Sequence, residues 1–178
     1  MAEGRPHEPA DERRDDPRQL PAAPTRPLSG GDFVVRAFLL ADHAAAPPDG
    51  KLYINGGGVT TVNLRDHGQP LPTLYLVGRV GVPYLLANEP HQYVVRLLDG
   101  DRRPVLDDPL FVLTGEVGRP AGTRPEDDLC YQFVVGLHGL PALAAGVVFF
   151  HLAVDDRPLA ALPLRITRPQ QSHAAVSG

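Results

Sequence analysis

LADHAAAPPDGKLYINGGGVTT, residues 40–61, holds a strand end, a proline-punctuated loop, a short strand and a triple glycine. Pro47, Pro48, Asp49 and Gly50 are residues that favour a turn, each through its own backbone restriction or freedom. In the short strand after it, Leu52 and Ile54 face one way, Lys51 and Tyr53 the other. Asn55–Gly56 is a strong hairpin signal because both residues tolerate positive φ. The strand therefore reads as one arm of a hairpin whose other arm is residues 59–64. Nothing in the stretch has helical period.

Outward from there the pattern repeats. Before it, FVVRAFLLA (33–41) is β-branched and aromatic, with Phe33, Val35, Ala37 and Leu39 on one face and Val34, Phe38 and Leu40 on the other. Asp42 and His43 read as its end. After it come strands over 74–82, 91–99, 110–114, 131–137, 146–154 and 159–168, separated by polar turns, with loops at His67, Gly68 and 70–72 and a long polar loop over 115–128. His91 to Asp99 alternates cleanly, Tyr93, Val95 and Leu97 inward. About nine short strands with turn signals every eight to twelve residues predict an all-β fold. The expected architecture is an immunoglobulin-like antiparallel β-sandwich of about 7–9 strands, with a barrel the less favoured choice. The Cys…Trp…Cys signature of antibody domains is absent, since the chain has no Trp and one Cys.

Composition narrows the class. At 178 residues the chain suits one domain with tails. The 43% hydrophobic content can supply a core, and 20 prolines disfavour long helices. Residues 1–31 mix charges of both signs with proline and few large apolar side chains, so a disordered tail is expected before a domain over 32–168, with a flexible tail over 169–178. A net charge of −4 lacks the basic face of a nucleic-acid binder. The single Cys130 cannot form an intrachain disulfide, and residues 1–16 contain no apolar secretory core. No uncharged apolar run reaches the length of a membrane span. A cytoplasmic protein, bound to neither membrane nor nucleic acid, is expected.

Chemical motifs are sparse. The run Asn55–Gly58 precedes a strand rather than a helix, so it is no phosphate loop. The seven histidines show no metal-ligand spacing, and no GxSxG elbow is present. Cys130 follows Glu126, Asp127 and Asp128, whose carboxylates would raise its pKa. No cofactor, metal or catalytic residue is expected. Lys51 is the only lysine among 17 basic residues: a coding bias toward arginine explains this, or position 51 needs a compact ammonium.

What remains is surface. Residues 33–41 and 146–154 are apolar on both faces, more than a two-layer shell hides on one side. The expected contact surface is Val148, Phe150 and Leu152, with Phe38 and Leu40 as a second patch, covered by a second copy of the chain or a protein partner. The function expected is a non-catalytic binding or assembly module. The alternative is a module for a small polar or anionic ligand, held by Asp42, His43, Lys51, Gly56, Gly57 and Gly58. A hydrolytic or metal-dependent enzyme ranks third.

The segments LLADHA, DGKLYINGGGVTTV, ANEPH, HQYVVRLLD and VFFHLAVDD together resemble a family of uncharacterised actinobacterial proteins, a domain of unknown function. The resemblance spans about residues 33–168. It implies a β-sandwich of about 130 residues and assigns no activity.

Overall fold

The computed structural model describes residues 31–65, 69–140 and 143–168. The expectations for residues 1–30 and 169–178, and for His67 and Gly68, lie outside them. The described residues form nine strands: β1 (Val34–Ala45), β2 (Tyr53–Gly57), β3 (Thr61–Asn63), β4 (Leu74–Gly81), β5 (Pro90–Leu98), β6 (Phe111–Glu116), β7 (Cys130–Leu137), β8 (Gly146–Val154) and β9 (Arg157–Thr167). A single 3-10 turn, Tyr84–Leu86, precedes β5. Sheet I has the order β2-β1-β4-β7 and sheet II the order β3-β9-β8-β5-β6. No helix among the described residues is long and apolar enough to cross a membrane.

The core lies between the sheets. Leu40, Leu76, Val80 and Phe133 of sheet I meet Tyr93, Val95, Phe150, Leu152, Leu164 and Ile166 of sheet II. Each fully buried large side chain contributes about 1.5–3 kcal/mol. Phe133 reaches across because Gly78 leaves its ring room: a Cβ at Gly78 would sit 2.1 Å from the ring. Gly115 on β6 accommodates the Tyr131 ring in the same way.

Three expectations are corrected. Asp42 and His43 do not end β1, which runs on to Ala45 and pairs with β2 from Ala41↔Gly57 to Ala45↔Tyr53. Residues 59–64 are not the second arm of a glycine hairpin. Gly56 and Gly58 have φ of +62° and +88°, and the N–H groups of Gly58 and Val59 both donate to the Leu40 carbonyl at 2.8 and 3.1 Å. That fork turns the chain out of sheet I, so β3 joins sheet II and pairs in parallel with β9, Thr61↔Arg165 to Asn63↔Thr167. The sandwich is therefore mixed rather than wholly antiparallel.

The third concerns faces. In β1, Val35 pairs with Val80 and Ala37 with Arg79, so Arg36 is an extra residue. This β-bulge shifts the alternation by one. Phe33, Val35, Phe38 and Leu40 consequently share the inner face, whereas strict alternation separates the first two from the last two.

Tyr93 is fully buried and stacks on Tyr131 with centroids 4.2 Å apart and planes at 18°. Its hydroxyl has no hydrogen-bond partner among the described residues. An unpaired buried hydroxyl is costly, whereas a phenyl ring keeps the stack. Tyr93→Phe is therefore expected to stabilise the chain by about 1 kcal/mol, read as a higher urea midpoint at unchanged slope; an equal or lower midpoint contradicts the assignment.

Candidate interaction surface

The contact surface expected from sequence is interior. Phe150 and Leu152 are 0% exposed, Val148 and Leu40 are also buried, and Phe38 packs on the same core. The reason is parity: β8 has two apolar faces, and the sandwich takes Val148, Phe150, Leu152 and Val154. Val147, Phe149, His151 and Ala153 turn outward. Phe149 is covered within the chain, because the Arg102 guanidinium lies 4.1 Å over its ring. Burial, with Arg102 and Arg96 nearby, lowers the pKa of His151. A shallow groove of about 430 Å³ runs alongside, lined by Val94, Arg96, Pro109, Val112, His151 and Pro158 among others.

The outer face of sheet I is different. Ala41, Ala44 and Val77 are buried there in a second apolar cluster, with Leu39, Leu52, Tyr75 and Val134 packed around them. The bulge at Arg36 and the alternation after it deliver Leu39 and Ala41 to this side. Tyr75 lies between two histidines, with His43 at 5.0 Å and His138 at 6.0 Å between ring centroids. His138 folds over Gly136, where a Cβ would approach its Nε2 to 2.4 Å. On β2, Tyr53 and Ile54 are 51% and 41% exposed.

The expected ligand loop borders this face. Asp42 lies opposite Gly56, where a Cβ would collide with its carboxylate, and His43 pairs with Asn55. The structure thus places Asp42 and His43 on β1 and Gly56 and Gly57 on the paired β2, with the two side chains of Asp42 and His43 on opposite faces, and leaves Gly58 and Lys51 just beyond the two ends of β2. The preceding turn is closed by Asp49, which accepts the Lys51 N–H at 3.0 Å and the Tyr53 hydroxyl at 2.9 Å. The side chains of Asp42 and Lys51 have no ion-pair or hydrogen-bond partner among the described residues.

Two polar constellations went unrecognised in the sequence. At the start of β7, Asp128 receives Arg36 at 2.9 Å and Arg79 at 3.4 Å. Burial pushes the neighbouring Cys130 thiol up; Arg79 opposes this and Asp128 adds to it. The direction matches the sequence expectation, but burial rather than the carboxylates leads.

The second is His91, the only buried polar or charged residue among those described. Its Nδ1 faces Asp155 Oδ2 at 2.7 Å and its Nε2 faces the Leu86 carbonyl at 2.8 Å. With Asp155 ionised both oxygens only accept, so the arrangement suits the imidazolium, in which both ring nitrogens donate. Burial disfavours that charge, but the Leu86 carbonyl and the Asp155 carboxylate outweigh it and raise the pKa. Burial likewise opposes charge on Asp155, but the Gln92 N–H and His91 hold its pKa below the ordinary value. Asp155 is positioned by the two-residue β8–β9 turn, in which it and Asp156 have φ of +47° and +63°. Paired aspartates flanked by apolar strands could have signalled that turn; nothing local signalled its histidine, 64 residues away. Among the described residues no group of three or more His, Cys, Asp or Glu could hold a metal ion.

The pH consequence follows from the signs. The His91 contribution is complete below the unfolded pKa of about 6.5 and is lost as pH rises through the higher folded value. The Asp155 contribution is complete above about 3.9 and is lost as pH falls through the lower folded value. The melting temperature should therefore decline from pH 6 to pH 9, and His91→Gln should flatten that decline while costing about 1–3 kcal/mol at pH 6. A decline of equal steepness in the variant rules out His91 as its source.

A family model described as a family of unknown function (DUF6941) matches residues 36–167. That span begins at the bulge residue Arg36 and closes with β9. No curated protein matches the chain.

Proposed function

The chain belongs to this family of unknown function (DUF6941), and we propose that it is a cytoplasmic, non-catalytic assembly module acting through protein–protein contact. The observation that carries this reading is the apolar rim of sheet I, where Tyr53 and Ile54 are exposed and Leu39, Leu52, Tyr75 and Val134, around the buried Ala41, Ala44 and Val77, are only partly buried. Contiguous apolar surface rimmed by polar groups is the usual mark of such contacts. The polar groups support the same reading, because they are engaged in holding the fold. Asp155 and His91 join two strand connections, Asp128 gathers two arginines, and Asp49 closes a turn. The occupant this reading favours is a second copy of the chain. Sedimentation velocity of the full chain is expected to show a species heavier than the 19.2 kDa monomer, its share rising with concentration. A single 19.2 kDa species at every concentration removes the reading.

A second reading keeps a small polar or anionic ligand at the 42–58 region. It is favoured by the pairing of the strands that carry Asp42, His43 and Gly56, with Lys51, whose ammonium has no partner among the described residues, two positions before β2. Binding raises the melting temperature by mass action. A screen of small anions and polar metabolites should then give a rise that Lys51→Ala abolishes. If no compound produces one, this second reading falls.

A further inference from the structure

Resting on the assembly reading, we infer that β7 is the contact strand, and that it pairs antiparallel with the β7 of a second copy to make one continuous eight-stranded sheet. Among the described residues sheet I ends at β7, whose one ladder partner there is β4, Leu74↔Leu137 to Gly81↔Cys130. Among the described residues, none of residues 131–137 makes a hydrogen bond outside that ladder. One side of the strand therefore presents a row of backbone donors and acceptors without partners among the described residues.

Edges are normally blunted by shortness, charge or proline. The other edges have such features: β2 is five residues and ends in two glycines, β3 is three residues, and β6 is six residues ending on Glu116. β7 is the longest at eight residues, and YQFVVGL from Tyr131 to Leu137 contains neither charge nor proline. An uncharged edge of that length is a template for another strand.

The strand is complementary to itself. With the two-fold axis on Val134, the inward Tyr131 meets the partner's Leu137 and Phe133 meets the partner's Val135, so the core layer continues across the junction. On the outer side the two Val134 side chains meet, and each belongs to the apolar cluster of its own sheet I. The two clusters thereby join into one strip.

Charge selects the direction. Glu126 and Asp127 precede the strand, with Asp128 offset by Arg36 and Arg79, whereas His138 follows it and residues 137–145 contain no carboxylate. Antiparallel pairing brings the acidic end of one copy to the histidine end of the other. Parallel pairing would set acid against acid, in a chain already at net charge −4.

The test uses full-length chains carrying Val134→Lys or Val134→Glu, checked for folding by circular dichroism and run in sedimentation velocity singly and as an equal mixture. Each variant alone places like charges at the axis and should weaken association by about 100-fold or more. The mixture, with lysine facing glutamate, should restore the dimer, which a merely structural defect would not allow. Dimerisation unchanged in both variants overturns the β7 contact while leaving the assembly reading intact; a monomeric parent chain removes both. Hydrogen exchange on the parent chain needs no variant. Alternate amides within 131–137 should be protected at high concentration and exchange on dilution, and exchange independent of concentration overturns the proposal.

Discussion

The inserted residue in β1 is the constraint on which the rest of this structure depends. Arg36 has no counterpart on β4, and its presence moves Phe38 and Leu40 onto the side already occupied by Phe33 and Val35. Without that shift the strand would deliver its large residues in two halves to opposite faces, and the inner layer would lose either its first pair or its second. The same shift sends Leu39 and Ala41 outward, where Val77 and Tyr75 receive them. One extra residue thus completes the core and creates the outer cluster. The side chain that pays for the irregularity is also used: its guanidinium meets Asp128 at the foot of β7.

Two ties then fix the sheets to each other at points where side-chain packing alone would leave them free to slide. The fork from Gly58 and Val59 to the Leu40 carbonyl sets where the chain leaves sheet I, and β3 closes against β9 immediately afterwards. On sheet II, His91 joins the 3-10 turn at Leu86 to the β8–β9 turn at Asp155, and Phe33 of the segment entering β1 lies edge-on against its ring at 4.9 Å. A buried charge held by two acceptors is sensitive to loss of either one, since the remaining group keeps its desolvation cost without its partner.

The strands and the two-layer class were legible because period-two alternation and turn residues are local properties, and β5, β7 and β8 lie within a residue of their expected limits. Faces and partners were not. A strand apolar on both sides, such as β8, carries no local mark of which side is inner, so Phe150 and Phe149 look alike until sheet II meets sheet I. A bulge is likewise invisible, because the register that defines it belongs to the pair β1–β4. The positive-φ backbone of Gly56 and Gly58 is legible in the glycine run, but Gly56 and Gly57 lie within β2, and where the chain goes next depends on Leu40, eighteen residues before Gly58. His91 and Asp155 were passed over for the same reason: the attraction between them exists only once β5 and β8 are adjacent.

The two outer faces finally bear on why the proposed contact is assigned to sheet I. Both sheets have apolar residues pointing outward, so apolar character alone does not choose between them. Sheet II meets the excess from within the chain: Arg102 stacks on Phe149, and charged Arg96 and Arg165 interrupt the rest of the face. An exposed guanidinium over a ring satisfies the ring's face while keeping the charge in water. On sheet I, Arg79 shares the outer face two positions from Val77 but is drawn to Asp128, and among the described residues no arginine stacks on a ring of the cluster. Leu52 packs against it and Tyr75 is flanked by two histidines, while Val134, at the β7 side, is only partly buried and sits on the strand whose outer backbone groups have no partner among the described residues. Apolar side chains and unpaired peptide groups coincide there on one rim. Water can hydrate the peptide groups but not the side chains, and a loop could cover the side chains but not pair the peptides along eight residues. A strand does both.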